Sequence, residues 1–247
     1  MALVLFHGDK GGTGKSTVCK GFVDWAQTHG IPVHTIDADP ITPDVHRMFE
    51  GSSSAEQINL RTEDGWAEMV DRMVEMGETR NIAVNLPAGI GDEDERRSEI
   101  FLEAAQQAGI PIVLFWIINR GKDSVTQLRH QLEHGLASGL HHMICVRNQH
   151  FAREGERFEI WDDSKTRQMF EEVGGKTADF PALSERVVAA LDKNNLPYYK
   201  ALADGIFGGW DSITLKKWNT AKSEMFKSLD LPLVGLEGSK ATPPKSA

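Results

Sequence analysis

Residues 3–7 form a short apolar run that leads without a linker into HGDKGGTGKST, residues 7–17. A helical pattern from Ser16 to His29 follows at once and ends at Gly30, with Pro32 just beyond. A buried strand, a glycine-rich loop and a helix in immediate succession constrain the fold strongly. The strand must lie in a sheet whose carboxyl edge faces the loop, and the helix must pack back on that sheet. The loop chemistry is equally specific. Gly11, Gly12 and Gly14 let successive backbone N–H groups turn inward around a phosphate, and Thr13 completes the turn. The helix that begins at Ser16 points its positive end at the same anion. Lys15 is placed to reach the β- and γ-phosphates, the Ser16 hydroxyl to ligate Mg²⁺, and Thr17 to close the cradle. Aligned on Gly14-Lys15-Ser16, the first position of the usual eight-residue pattern is Asp9, and Lys10 follows it. The loop is therefore a variant, read as Lys10-Gly-Gly-Thr-Gly-Lys-Ser16.

The rest of the chain repeats the alternation. Strands are expected at 33–37, 82–86, 111–118, 142–146 and leading into Phe180. Helices are expected at 93–108, 122–138, 164–173, 184–194 and 213–229, and another where Trp66, Met69, Val70, Met73 and Val74 mark one apolar face. The run PIVLFWII at 111–118 reads as a central strand buried on both faces. Strands alternating with helices predict an α/β fold, a mainly parallel twisted sheet with helices on both faces. No repeat or long linker divides the 247 residues, so residues 1–230 are expected to form one domain. Residues 231–247, rich in Gly, Pro, Ser and Lys, are expected to be a loose tail.

Composition narrows the function. Asp plus Glu number 36 against 27 Lys plus Arg, a net charge of −9, which argues against a surface that coats DNA as a whole. The two cysteines, Cys19 and Cys145, supply no zinc or iron–sulfur ligand set and fit a reducing cytoplasm. The first residues lack the basic region of a secretory leader. No apolar stretch approaches the ~20 residues needed to cross a bilayer.

The doubled lysine of the loop resembles the hallmark KGGxGK[ST] of the deviant Walker A ATPases, the ParA/MinD family. The resemblance implies a P-loop NTPase domain that uses ATP and Mg²⁺ and dimerises around ATP, with Lys10 reaching the phosphates held by the partner subunit. Two further segments carry the likeness. Val33-His-Thr-Ile-Asp-Ala-Asp-Pro40 ends a strand in two alternating carboxylates that share one side of an extended segment. The resemblance assigns Asp37 to the Mg²⁺ shell and Asp39 to the attacking water. Asn81-Ile-Ala-Val-Asn-Leu-Pro-Ala-Gly89 resembles the second switch, where the family has an aspartate and this chain has Asn85. An amide accepts a hydrogen bond but brings no charge to a cation that prefers anionic oxygen. Either hydrolysis is slow, or Asp37 and neighbours such as Asp92 and Asp94 supply the charge. Asn148, after the strand at 142–146, matches the residue that reads the adenine edge. Asp179-Phe180-Pro181 resembles the loop that lines the adenine ring.

The last helix places Trp218, Ala221, Met225 and Leu229 on one face, with Lys216 and Lys227 opposite and Lys217 and Lys222 flanking the seam. Some family members bind DNA non-specifically through such lysines, and the competing expectation is a solvated face. The membrane helix of MinD-type proteins is not visible in the tail. His130 and His134 are one helical turn apart but no carboxylate completes a zinc set.

The leading expectation is an ATPase that switches between monomer and ATP-bound dimer to position or segregate DNA, as in plasmid partition, stability or transfer, or another cargo, with a protein activator. One alternative is a nucleotide-dependent scaffold that barely hydrolyses ATP, on account of Asn85. The other is a metabolic P-loop enzyme of the dethiobiotin-synthetase type, against which Lys10 counts.

Overall fold

The computed structural model describes residues 1–8, 11–51, 55–76, 79–89 and 95–236. Among these, seven strands form one all-parallel sheet: β1 (Leu3–His7), β2 (Val33–Asp37), β3 (Ala55–Gln57), β4 (Asn81–Asn85), β5 (Ile112–Ile118), β6 (His142–Asn148) and β7 (Lys176–Phe180). Their order is β3-β2-β4-β1-β5-β6-β7. The helices are α1 (Lys15–Thr28), α2 (Asp44–Phe49), α3 (Glu63–Met76), α4 (Glu95–Gln107), α5 (Lys122–His134), α6 (Glu159–Asp162), α7 (Lys165–Glu172), α8 (Glu185–Asn194), α9 (Tyr198–Ala203) and α10 (Gly209–Ser228).

Alternate residues of the central strands supply two cores, one on each face of the sheet. Val4 and Phe6 of β1 and Val113, Phe115 and Ile117 of β5 pack with Phe22 and Trp25 of α1, with α2, and with α8, α9 and α10. Leu3, Leu5, Leu114, Trp116 and Ile118 pack with Trp66 and Met69 of α3, with Phe101 of α4, and with α5, α6 and α7. All seven residues of β5 are buried, as its apolar sequence requires. Each such large side chain contributes ~1.5–3 kcal/mol through removal from water. The glycine stops act as the sequence predicts. At Gly30, φ is +67°, Ile31 N–H donates to Ala26 O and Gly30 N–H to Gln27 O, which closes the end of α1.

Several expectations are corrected. Val74 is exposed, and the buried stripe of α3 is Trp66, Met69 and Met73. Helix α5 stops at His134, and Leu136 and Ala137 are buried in the turn that follows. Strand β6 continues to Asn148, and α10 begins at Gly209. Ala221 is exposed, and Lys222 takes its place on the buried face. The packed chain also runs past residue 230, where the tail was expected to begin. Leu231 and Leu233 are in the core. The Asn81 side chain brackets Val234, accepting from its N–H and donating to its carbonyl, both at 3.0 Å. The same side chain accepts from Ala2 N–H and donates to Pro32 O. Residues 237–247 lie outside the described residues.

Candidate functional site

Parallel pairing brings the carboxyl ends of the strands to one edge, and every strand-end residue singled out from the sequence lies there. Asp37 is opposite Asn85, Asn85 is opposite Phe6, and Asn148 is opposite Phe180. A cleft of about 640 Å³ opens above that edge. At one end it is lined by Gly11, Gly12, Gly14, Lys15, Ser16 and Thr17, with Asp39 and Asn85 beside them, and at the other by Asn148, Phe180, Pro181, Leu183, Val188 and Trp218. Lys10, Asp92 and Asp94 lie outside the described residues.

The phosphate loop ends in a left-handed Gly14 at φ +92°, from which α1 starts. A β-carbon there would also lie 2.2 Å from Asn148 Nδ2, so both conformation and contact require glycine. Asn148 donates from Nδ2 to Thr13 O at 2.9 Å and accepts at Oδ1 from His150 N–H at 3.1 Å. It therefore braces the loop, a role its sequence position does not reveal. One amide proton and one lone pair are left for a ligand. Phe180 is buried at 1% exposure, edge-on to Trp218 and tight against Gly21 of α1. Phe180 and Pro181 nonetheless line the cleft, and Trp218 pins this loop by donating to Pro181 O at 2.8 Å.

Sequence reasoning missed His7, whose residue type at a strand end carries no recognisable signal. It is buried, packs at a tilt against the Trp116 ring, and accepts the Gly8 N–H at Nδ1 at 2.7 Å, fixing the exit of β1 into the loop. Burial, and then the charge of Lys15, pull its pKa down to about 3, so it stays neutral at physiological pH.

The two carboxylates after β2 have different tasks. Asp37 is 1% exposed and takes four hydrogen bonds. Its Oδ2 accepts from Val45 and His46 N–H at the start of α2, and its Oδ1 accepts from Asn85 Nδ2 at 2.9 Å and from Asp39 N–H. Burial pushes this carboxyl above the ordinary range, and those hydrogen bonds pull against the shift. Asp39 folds its own loop, accepting at Oδ1 from Ile41 and Thr42 N–H and at Oδ2 from the Thr42 hydroxyl, and it faces the cleft half-exposed. Asn85 also reaches toward Ser16 Oγ at 3.4 Å. Its Oδ1 is buried and has no partner among the described residues. The Asn85 amide nitrogen thus lies between the Asp37 carboxylate and the Ser16 hydroxyl, and that hydroxyl and carboxylate are oxygen groups of the kind a hydrated Mg²⁺ takes.

The lysines of α10 divide. Lys216, Lys217 and Lys227 are exposed. Lys222 is buried, corrected from its expected place beside the basic face. It donates to Asp24 Oδ2 of α1 at 2.5 Å and lies over the rings of Tyr198 and Trp218. Among the described residues, no helix is long and apolar enough to cross a membrane.

A parallel sheet with a phosphate loop between its central strand and α1 defines a P-loop NTPase fold. No protein-family model matches the chain. Protein MobD of Acidithiobacillus ferrooxidans is 31% identical over 225 residues, 90% of this chain and 95% of MobD. MinD of Aquifex aeolicus superposes with a TM-score of 0.53 at 14% identity, covering 94% of this chain and 99% of MinD. MinD of Pyrococcus horikoshii, solved with Mg-ADP, superposes at 0.51 and 12% identity over 88% and 94% of the two chains. The chain belongs to the ParA/MinD family and is similar to MobD along almost its whole length.

Proposed function

We propose that the chain binds ATP with Mg²⁺ in the cleft, hydrolyses it slowly, and uses the bound state to form a homodimer that positions DNA, such as a plasmid, or another cargo in the cytoplasm. The observation that carries this reading is the braced glycine loop at the amino end of α1, facing a cleft of nucleotide size. The backbone N–H groups of 11–16 and the α1 dipole receive the phosphates, and Lys15 neutralises charge that grows on them during transfer. Mg²⁺ would be held at Ser16, with Asp37 and Asn85 behind it, and would draw charge from the β- and γ-phosphates. At the other end, Pro181, Leu183 and Trp218 supply apolar walls for a base, with the remaining amide proton and lone pair of Asn148 available to its edge. In the dimer, Lys10 reaches the nucleotide of the partner subunit. A protein activator raises turnover. The test is a sizing run with ATP, with ADP and without nucleotide, alongside phosphate release with and without DNA. A chain that stays monomeric in every state and releases no phosphate would refute the reading.

Asp39 is assigned to the attacking water. Because Asp39 also holds its loop through Oδ1, Asp39→Asn is the cleaner variant, keeping the turn while removing the charge. Hydrolysis is expected to fall ~10²–10⁴-fold with nucleotide binding preserved, so that the ATP-bound dimer accumulates. Equal turnover in mutant and parent would remove Asp39 from the chemistry.

Lys216, Lys217 and Lys227 form the basic face proposed to meet DNA. Lys216→Glu combined with Lys227→Glu is expected to abolish DNA binding without changing ATP affinity. In the parent, log affinity should fall with log salt by about 0.9 for each phosphate contacted. A parent protein that ignores DNA at low salt with ATP present would leave these lysines as solvated surface.

A further inference from the structure

Strand β7 lies at the edge of the sheet and leads into the apolar wall of the cleft. Among the described residues it pairs with β6 alone, and the ladder ends where Asn148 meets Phe180. The next residue, Pro181, has no N–H with which to extend that ladder. Yet Phe180, Pro181 and Leu183 line the cleft together with Asn148. A five-residue edge strand bonded on one side is a weak support for such a wall. The preceding register pair, Arg147 opposite Asp179, reinforces it. Side chains alternate along a strand, so this pair points to the other face of the sheet, away from the cleft. Arg147 donates to Asp179 from Nε to Oδ1 and from Nη2 to Oδ2, both at 2.7 Å, and Gln149 Nε2 adds a bond to Oδ1 at 2.6 Å. The third nitrogen, Nη1, donates at 2.8 Å to Asp162 of α6, whose side chain is 6% exposed. Exposed ion pairs contribute little when two long side chains must be ordered to make them. Here Asp162 already fixes the arginine, and two parallel bonds meet one carboxylate, an arrangement that adds geometric specificity to strength.

We propose that Arg147 is a positioning residue for the base of the bound nucleotide. It touches no ligand. By clamping Asp179 from the far face of the sheet, it sets the spacing between Asn148 and the wall that runs from Phe180 to Leu183. The proposal rests on the reading that a nucleotide occupies the cleft. It also divides the cleft into two separately held ends. Asn148 is tied to the phosphate loop through Thr13 O, so loss of the clamp releases the edge-strand wall and leaves the loop in place.

The experiment measures affinity for ATP and for inorganic tripolyphosphate, both with Mg²⁺, by calorimetry on the full chain. Tripolyphosphate carries no base, so the ratio of the two affinities reads the base end by itself. Arg147→Met is expected to weaken ATP about 3- to 30-fold, the range over which residues remote from a ligand tune its binding, and to leave tripolyphosphate unchanged. Asp179→Asn keeps the shape of the side chain and one of the two parallel bonds. It should shift the ratio the same way by less, and it serves if the methionine variant folds poorly. Asp162→Asn is the structural control. It keeps an acceptor for Nη1 but removes the buried charge that Arg157 and Arg167 also approach. It should lower the thermal midpoint and leave the ratio at the parent value. A ratio unchanged in Arg147→Met and Asp179→Asn would overturn the proposal, as would an equal fall in Asp162→Asn. A parent that binds tripolyphosphate as tightly as ATP would also overturn it, with the phosphate loop still in place. A parent that binds neither compound would fail the reading of the cleft, and the proposal with it.

Discussion

Lys222→Met is expected to cost about 3–5 kcal/mol of folding stability, seen as a fall in the urea midpoint. The side chain keeps its volume among Tyr198, Trp218 and Phe180, so the loss is not mainly one of packing. It arises because Asp24, fully buried on α1, is left charged without its partner. Asp24 also accepts from Tyr199 N–H at 2.8 Å, and an asparagine at 24 can keep that bond. Asp24→Asn added to Lys222→Met should therefore recover most of the stability, because removing both charges of a buried pair is often neutral. A single variant within 1 kcal/mol of the parent would mean that the pair is already well solvated. For a domain whose whole stability is of the order of 5–15 kcal/mol, the single change takes a large share. DNA binding should weaken only as far as the fold does, because Lys222 offers no charge to the surface.

Lys15→Ala is expected to weaken ATP and ADP by about 2–5 kcal/mol, or roughly 30- to several-thousand-fold, with the fold retained. Lys15 is 8% exposed at the start of α1 and lines the phosphate end of the cleft, where water screens its charge poorly. Calorimetry with each nucleotide measures the loss. Unchanged affinity would place the phosphates elsewhere. The asymmetry between the two lysines is instructive. Both are nearly inaccessible, yet one is expected to govern the ligand and the other the packing of α10 on α1.

What could be seen in the sequence follows from how local each signal is. Strands β1 and β5, helix α1 and the phosphate loop announce themselves through contiguous residues, because apolar runs, glycines and the lysine–serine pair do their work beside one another. Helix α2 does not. Six residues long, it is started by hydrogen bonds to Asp37 from Val45 and His46, a contact between segments that no periodicity records. Strand β3 is three residues at the sheet edge and has no apolar run. The helical pattern sets Lys222 beside a wet face because a lysine at that position ordinarily reaches water. Its burial depends on Asp24, 198 residues earlier in the chain. The sequence offers Asn148 as a candidate for a base edge but conceals its bracing task, since the carbonyl it holds belongs to Thr13, 135 residues away.

The placement of β1 sets the order in which this protein can come into being. It precedes β4 and β5 in the sequence, yet it lies between them, and Phe6 has its register partners at Asn85 and Phe115. Until the ribosome has released the chain beyond β5, the first strand has no complete slot, and its phosphate loop has no floor. Strand β1, apolar and unpaired, must wait until β4 and β5 have been synthesised, at ~5–20 residues per second. Closure of such distant pairings is intrinsically slow. Val234 emerges after all seven strands and then meets the Asn81 side chain that also holds Ala2. A chain stalled or cut before that point would carry every residue of the nucleotide cleft while its first strand lacked the final clasp at its root.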